Sequence, residues 1–502
     1  MTSTTRPDLA GQAAAVPGSG SDQAAPVQAG PRPYPRRWQA LTLLAVAQFI
    51  VILDASIVNI ALPDIGRGLH MQASGLSWVI DAYLLTFGGL LLLGGRAADL
   101  FGRRAVFLAG LLAFSAASLA DALAPSGGAL IAFRALQGAA AAAMSPAALS
   151  IVTVLFAPGP DRAKALGVWG AVAGSGSAAG VLLGGVLTNT FGWPSIFIIN
   201  VPVGIAAAVL TPRLIPAMRT ASAAGRRVDV PGAVLATGGM TALVYGLISG
   251  SAAGWAAART LAALVAGVAL LAIFVLGQAR SRNPLMPLRI FTLRTVSSAN
   301  AVMLLTGAAV VSLFFFLSLY MQQVLGYSPL TAGMTQLPLA AVLIGAAGLT
   351  PMLIGAIGRK GTLATGLVLL AGGLGWLTAV PVGGTFAGAI LGPSLLIGAG
   401  LGLAFVVVNA VAVAGVADSD SGLASGVINT SQQAGGALGL AVTSAVAAAT
   451  STPMLAHAAS ATARIAALNS GYQAGFAVSA AIAAVAALLT VLTVPSERRH
   501  AD

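Results

Sequence analysis

Fourteen apolar runs, each long enough to cross a lipid bilayer, are separated by short charged or Gly/Pro-bearing gaps in this 502-residue chain. A bilayer core is about 30 Å thick and takes about 20 apolar residues of helix. In lipid each backbone N–H and C=O must be satisfied internally, so runs of this length fold as helices. The spans read as 38–62, 76–97, 104–123, 129–155, 165–188, 194–214, 230–249, 260–278, 296–320, 332–354, 361–380, 385–408, 423–447 and 473–494. Only 8% of residues are charged, against about 25% in a soluble domain. A water-soluble fold is excluded, and an all-α polytopic membrane protein is expected.

The net charge of +12 would suit a nucleic-acid partner, but the charge lies in the gaps between spans and none is expected. The absence of cysteine excludes disulfides, thiolate metal sites and cysteine nucleophiles. Residues 1–37 are too polar to pack and read as a disordered cytoplasmic tail. No apolar core precedes Leu41, so the first span reads as an uncleaved signal anchor. With the N-terminus inside, 21 of the 25 Lys and Arg fall on the cytoplasmic side. Arg67, Arg259 and Arg464 fall outside, and Arg134 lies within a span. This asymmetry places both termini in the cytoplasm and supports the span count.

The basic loops 213–229 and 280–295 bracket the seventh and eighth spans. Setting that pair aside divides the chain into an N-terminal six-helix bundle (38–214), a linker with two extra helices (215–295), a C-terminal six-helix bundle (296–494) and a tail (495–502). The loop after the second helix of the first half reads Gly95-Arg-Ala-Ala-Asp99-Leu-Phe-Gly102-Arg103-Arg104, and Gly355-Ala-Ile-Gly358-Arg359-Lys360 echoes it in the second. Duplication of this kind is what a transporter rocking about a midplane site requires.

The loop 95–104 resembles the signature of the major facilitator superfamily. Leu53-Asp54-Ala-Ser-Ile-Val58-Asn59-Ile-Ala61-Leu62-Pro63 is similar to the first-helix signature of its fourteen-helix drug:proton antiporters. Arg134-Ala-Leu-Gln137-Gly138 is similar to the fourth-helix motif of proton-coupled members, and Gly167, Gly176, Gly180, Gly184 and Gly185 fall at the glycines of the fifth-helix antiporter motif. Trp193–Pro202 and Tyr327–Gly333 also resemble this subfamily. One position departs: Val181 stands where that motif has proline, so the fifth helix is expected to be straighter. The resemblance implies two six-helix bundles plus two inserted helices, in the bacterial cytoplasmic membrane, exporting drugs or antibiotics against protons.

Three ionisable residues read as intramembrane and therefore as functional candidates: Asp54, Asp81 and Arg134. Measured from Pro63 and from the starts of the second and fourth spans, they lie roughly 7–14 Å below the outer surface. A cluster with the chemistry for proton coupling is expected, because desolvation and a nearby cation tune a carboxyl in opposite directions. Gln137 and Ser145 share the Arg134 stripe. Asp54 could instead cap or pack the first helix, Asp81 could be wetted from outside, and Arg134 could bond backbone carbonyls.

The loop is expected to act as a latch. Gly95 would allow close approach, Asp99 would take a charge-assisted bond, and Gly102 would turn the chain before Arg103 and Arg104. Its other reading is a positive-inside anchor. Gly176, Gly180 and Gly184 recur on one face, with Gly185 beside them, and suit close packing of a gate between halves. The second half has no charged residue within its spans. Its cavity candidates are Tyr320, Asn429, Gln432 and Gln433, with Gln137 from the first half; interhelical hydrogen bonding is the alternative. Aromatic walls and few charges suit an amphipathic, drug-sized cargo.

Enzyme chemistry lacks parts. His70, His457 and His500 are scattered without metal-ligand spacing, and there is no G-x-x-x-x-G-K nucleotide loop. No cofactor or metal is expected, and Asp418 and Asp420 read as a solvated loop. The expected function is proton-coupled export of a hydrophobic or amphipathic compound by a monomer. An exporter of an endogenous metabolite, proton-coupled uptake, or a non-transporting receptor on the same fold are the alternatives.

Overall fold

A computed structural model describes residues 34–71, 73–157, 159–216, 229–281, 284–416 and 421–495. Most of the N-terminal tail, much of the basic linker, Arg282, the Asp418/Asp420 loop and the last seven residues, with His500, lie outside the described residues. Among the described residues there are helices and no strands. In chain order they are α1 (Arg37–Gly68), α2 (Ala73–Phe101), α3 (Arg103–Ala122), α4 (Gly127–Leu155), α5 (Pro160–Phe191), α6 (Ser195–Ile198), α7 (Asn200–Leu214), α8 (Val230–Ala253) and α9 (Ala258–Arg280). There follow α10 (Arg294–Leu319), α11 (Pro329–Thr335), α12 (Leu337–Leu377), α13 (Gly392–Val413), α14 (Ser421–Ala456) and α15 (Ala461–Thr493).

Among the described residues, twelve helical segments are long and apolar enough to cross a membrane. One of them, Pro329–Leu377, is two helices joined at Gly358, whose backbone (φ 74°, ψ 167°) no α-helix accommodates. The remaining long helix, α5, fills the fifth expected span, and its Ala179–Phe191 stretch is apolar. All fourteen expected segments are therefore helical. Gly358 has its counterpart in Gly102 (φ 97°), so the paired loops share a left-handed glycine immediately before Arg359 and Arg103.

Two boundaries need correction. Pro63 does not end the first helix, because α1 continues to Gly68. Asp54 is thus fourteen residues from that end and lies near the middle of α1, deeper than the sequence suggested. The last helix begins at Ala461 rather than 473. Its additional turns are more polar and carry Arg464, yet Ser460 caps them by accepting from the Ala463 N–H at 3.1 Å.

The helix ends fall on two sides. The near side holds the start of α1, where Arg37 pairs with Asp161 at 2.6 Å and Arg104 donates to the Ile215 carbonyl at 3.2 Å. The far side holds the ends of α1, α5 and α10. There the two halves meet: Ser318 Oγ donates to the Asn59 carbonyl at 2.5 Å, and Gln322 Nε2 donates to the Ile60 carbonyl at 2.8 Å. Along the middle, α2 packs on α14, with Thr430 Oγ1 donating to the Gly88 carbonyl at 3.2 Å.

Small residues set these distances, as expected where lipid removes any hydrophobic force between helices. A Cβ on Gly94 would overlap the Ala142 carbonyl of α4, whereas one on Gly95 would meet only Pro146 Cβ at 3.8 Å. The close approach expected at Gly95 therefore belongs to its neighbour. Gly94→Ala should destabilise the protein by about 1–3 kcal/mol, the usual cost of overpacking. Gly95→Ala should melt with the wild type. Thermal unfolding of the purified protein in detergent, followed by size-exclusion recovery, separates the two.

Candidate functional site: a buried ion pair in the first bundle

Asp54 on α1 and Arg134 on α4 are fully enclosed and form an ion pair at 2.6 Å. The same carboxylate accepts from Gln137 Nε2 at 2.9 Å and from Asn200 Nδ2 at 2.8 Å, both on Oδ1. Arg134 also donates to the Val79 carbonyl at 3.1 Å through Nε and to the Gln137 side-chain oxygen through Nη1. Gln137 donates onward to Ser118 Oγ on α3 at 2.6 Å, and Asn200 reaches the same oxygen at 3.3 Å. The guanidinium lies 4.4 Å from the centroid of the Tyr83 ring and 5.7 Å from that of Phe197. Five helices and α6 thus converge on one carboxylate.

This saturation answers a physical demand. Two charges in an apolar interior each lose several kcal/mol of hydration, and their attraction compensates only when the remaining donors and acceptors are satisfied. Three donors on one carboxylate and two aromatic faces on one guanidinium meet that requirement.

Sequence reasoning identified Asp54, Arg134 and Gln137 but expected Gln137 to line an open cavity. It is instead closed within the cluster. It met Phe197 and Asn200 only as part of the Trp193–Pro202 motif and gave them no role, and it missed Ser118 and Tyr83, since a single polar or aromatic residue in an apolar run carries no signal of its partner. It also missed Asp121, which lies in the last turn of α3, is completely buried, and whose carboxyl has no hydrogen-bond partner among the described residues. Asp81 is equally buried and has none either, so it is not bonded into the cluster.

The other candidates fall elsewhere. Asp99 lies 3.6 Å from Arg103 one turn on, both partly exposed, so the bond stays within its own loop. Gly176, Gly180 and Gly184 pack on α1 within the first half rather than between halves. A Cβ at Gly180 would meet Ser56 Cβ at 2.7 Å, and one at Gly184 the Ile57 carbonyl at 3.0 Å. Gly185 alone of the four crosses to the second half, where a Cβ would sit 2.6 Å from the Pro329 carbonyl oxygen. Reciprocally, a Cβ at Gly333 would sit 2.6 Å from the Val181 carbonyl oxygen, and α5 runs unbroken through Val181. Tyr320 is no cavity residue: it is buried and donates to the Pro381 carbonyl at 2.8 Å. Asn429, Gln432 and Gln433 share the face of α14 that carries Gly436, where a Cβ would meet Val311 of α10 at 2.8 Å and Leu84 of α2 at 3.3 Å. Asn429 is exposed on that face and the two glutamines are half-buried, so these three border the seam between the halves.

A model of the Major Facilitator Superfamily matches residues 44–440. The chain belongs to this superfamily of membrane transporters. It is 42% identical over 405 residues to a cephamycin export protein of Amycolatopsis lactamdurans, covering 80% of this chain and 83% of that one. It is 38% identical to a puromycin resistance protein of Streptomyces alboniger, over 94% of each. Among solved structures, a bacterial homologue of the human lysosomal transporter Spinster superposes with a TM-score of 0.66 at 15% identity. That match covers 92% of this chain and 97% of the other, and it shows a shared fold.

The cluster predicts a specific stability pattern. Arg134→Ala leaves the Asp54 carboxylate buried without its cation and should cost about 3–5 kcal/mol. Adding Asp54→Asn should recover much of that loss. A double-mutant cycle on unfolding of the purified variants in detergent reads the coupling.

Proposed function

We propose that this transporter exports hydrophobic or amphipathic antibiotic-like compounds in exchange for protons. The reading places it in a bacterial cytoplasmic membrane with the near side cytoplasmic, as the distribution of Lys and Arg favours. The observation that carries it is the Asp54–Arg134 pair, a charged couple enclosed within a membrane-spanning bundle where ions are costly and mark function. The printed activities of the two relatives, cephamycin export and puromycin resistance, support the cargo class.

In this reading Asp54 is the proton carrier. When the site faces outward a proton neutralises the carboxylate, and the guanidinium and the Gln137 and Asn200 amides lose the negative charge that held them. When it faces the cytoplasm the proton leaves and the bonds re-form. The conformational cycle is alternating access, in which the halves part at one side as they close at the other. Each proton moving inward across 100 mV supplies about 2.3 kcal/mol in addition to any pH gradient. The cargo would pass along the seam bordered by Asn429, Gln432 and Gln433, which offers hydrogen bonds without fixed charge. The loop containing Asp99, Gly102, Arg103 and Arg104 would serve as the cytoplasmic latch. The unit of function is the monomer, since each chain contains both halves.

A sensitive bacterial host expressing wild type or Asp54→Asn at matched membrane levels provides the test, with a panel that includes puromycin and a cephamycin. Raised tolerance with wild type, lost by at least tenfold in the variant, is the expected result. Tolerance retained by Asp54→Asn would remove that carboxyl from the coupling. A wild type that protects against nothing in the panel would set aside drug export in favour of an endogenous cargo.

A further inference from the structure

Asp121 has no place in the mechanism above, yet it is a carboxylic acid with no exposed surface and no hydrogen-bond partner among the described residues. Its position follows from the packing of α3 on α4, which run antiparallel through the short connection at Leu123–Ser126. Ser118 of α3 is level with Gln137 of α4, because Gln137 Nε2 donates to Ser118 Oγ at 2.6 Å. Moving one turn along α3 reaches Asp121, and moving one turn back along α4 reaches Arg134. In antiparallel helices these steps run in the same direction, so Asp121 lies level with the guanidinium-bearing residue.

We propose that Asp121 is a second docking carboxylate for Arg134, to which the guanidinium turns when Asp54 is neutralised. This rests on the reading of Asp54 as the proton-coupling carboxyl, and it names where the displaced positive charge goes. Without such an acceptor, protonating Asp54 would strand a guanidinium in the apolar interior, at a cost that would oppose proton loading. With it, the cation keeps a partner in both states, and because Asp121 is ionised in both, protonating Asp54 loads one proton and releases none. The helices packed against α3 are α4, α7, α2 and α6. The ionisable groups they and α1 bring to this level are Arg134 from α4, Asp81 and Tyr83 from α2, and Asp54 from α1; α6 brings none, and Arg213 of α7 lies at the other end.

The test is a contact measurement on the purified full-length protein in lipid, labelled with carbon-13 at aspartate carboxyls and nitrogen-15 at arginine guanidinium groups. Solid-state NMR then reports aspartate–arginine contacts directly and needs no cargo. Asp54→Asn should lose one contact and gain another. The gained contact should vanish in Asp54→Asn/Asp121→Glu, where an acid remains but its label does not. Loss of the Asp54 contact with no replacement overturns the proposal, as does a replacement that survives Asp121→Glu. Because Asp121→Glu preserves the carboxyl, the comparison of the two proteins does not depend on folding of an Asp121→Asn variant. Failure of the export reading appears separately, in the tolerance panel, and leaves the contact shift to be judged alone.

Discussion

The first bundle is organised by the need to bury one positive and one negative charge away from water. Asp54 and Arg134 cannot stand alone in an apolar interior, and their company fixes much of the surrounding structure. Asn200 must start α7 at the level of Asp54, Ser118 must present its hydroxyl on α3, and Val79 must point a carbonyl from α2. Tyr83 and Phe197 then cover the guanidinium with aromatic surface. Five spanning helices are held in mutual register by a handful of polar atoms. Among the described residues the C-terminal bundle has no such ionic centre. Its helices α10 and α14 are joined instead by neutral hydrogen bonds, from Thr443 to Ser312 at 2.9 Å and from Ser431 to Asn300 at 2.7 Å.

Glycine supplies the second constraint. Where helices must approach closely, a missing side chain places backbone against backbone: Gly94 on α4, Gly180 and Gly184 on α1, Gly307 and Gly435 between α10 and α14. This packing is dense without being strongly directional, since dispersion accounts for most of it. The ionic cluster therefore gives the first bundle its specificity, while the glycine contacts set the spacing of both bundles.

The spans were legible in the sequence because bilayer thickness imposes a length that no soluble helix must satisfy. Asp54 and Arg134 were legible because charge inside such a span is rare. What was hidden is pairing. Helical periodicity gives depth and face but not which side chain of a neighbouring helix lies opposite, so Asn200 and Ser118 passed as ordinary polar residues. Asp121 went unmarked because it sits in the last turn of its helix, where an acid is usually wetted. Pro63 read as a terminus, but the helix continues to Gly68, and the Asn59 carbonyl that its missing N–H leaves free accepts from Ser318 Oγ instead. Tyr320 shows the opposite failure, an aromatic with a polar tip that suited a cavity and proved to be an anchor for the chain at Pro381.

The far-side seam between α5 and α11 has one more property. It is made of main chain: Gly185 against the Pro329 carbonyl, and Gly333 against that of Val181. Side chains that interlock must select rotamers each time they mesh and regain that freedom each time they part, about 0.5–2 kcal/mol apiece for the larger ones. Main chain already fixed in a helix has no such freedom to lose. A junction built this way can be assembled and taken apart repeatedly with almost no entropy charged to either step, and its two surfaces return to the same register because neither has moved within itself.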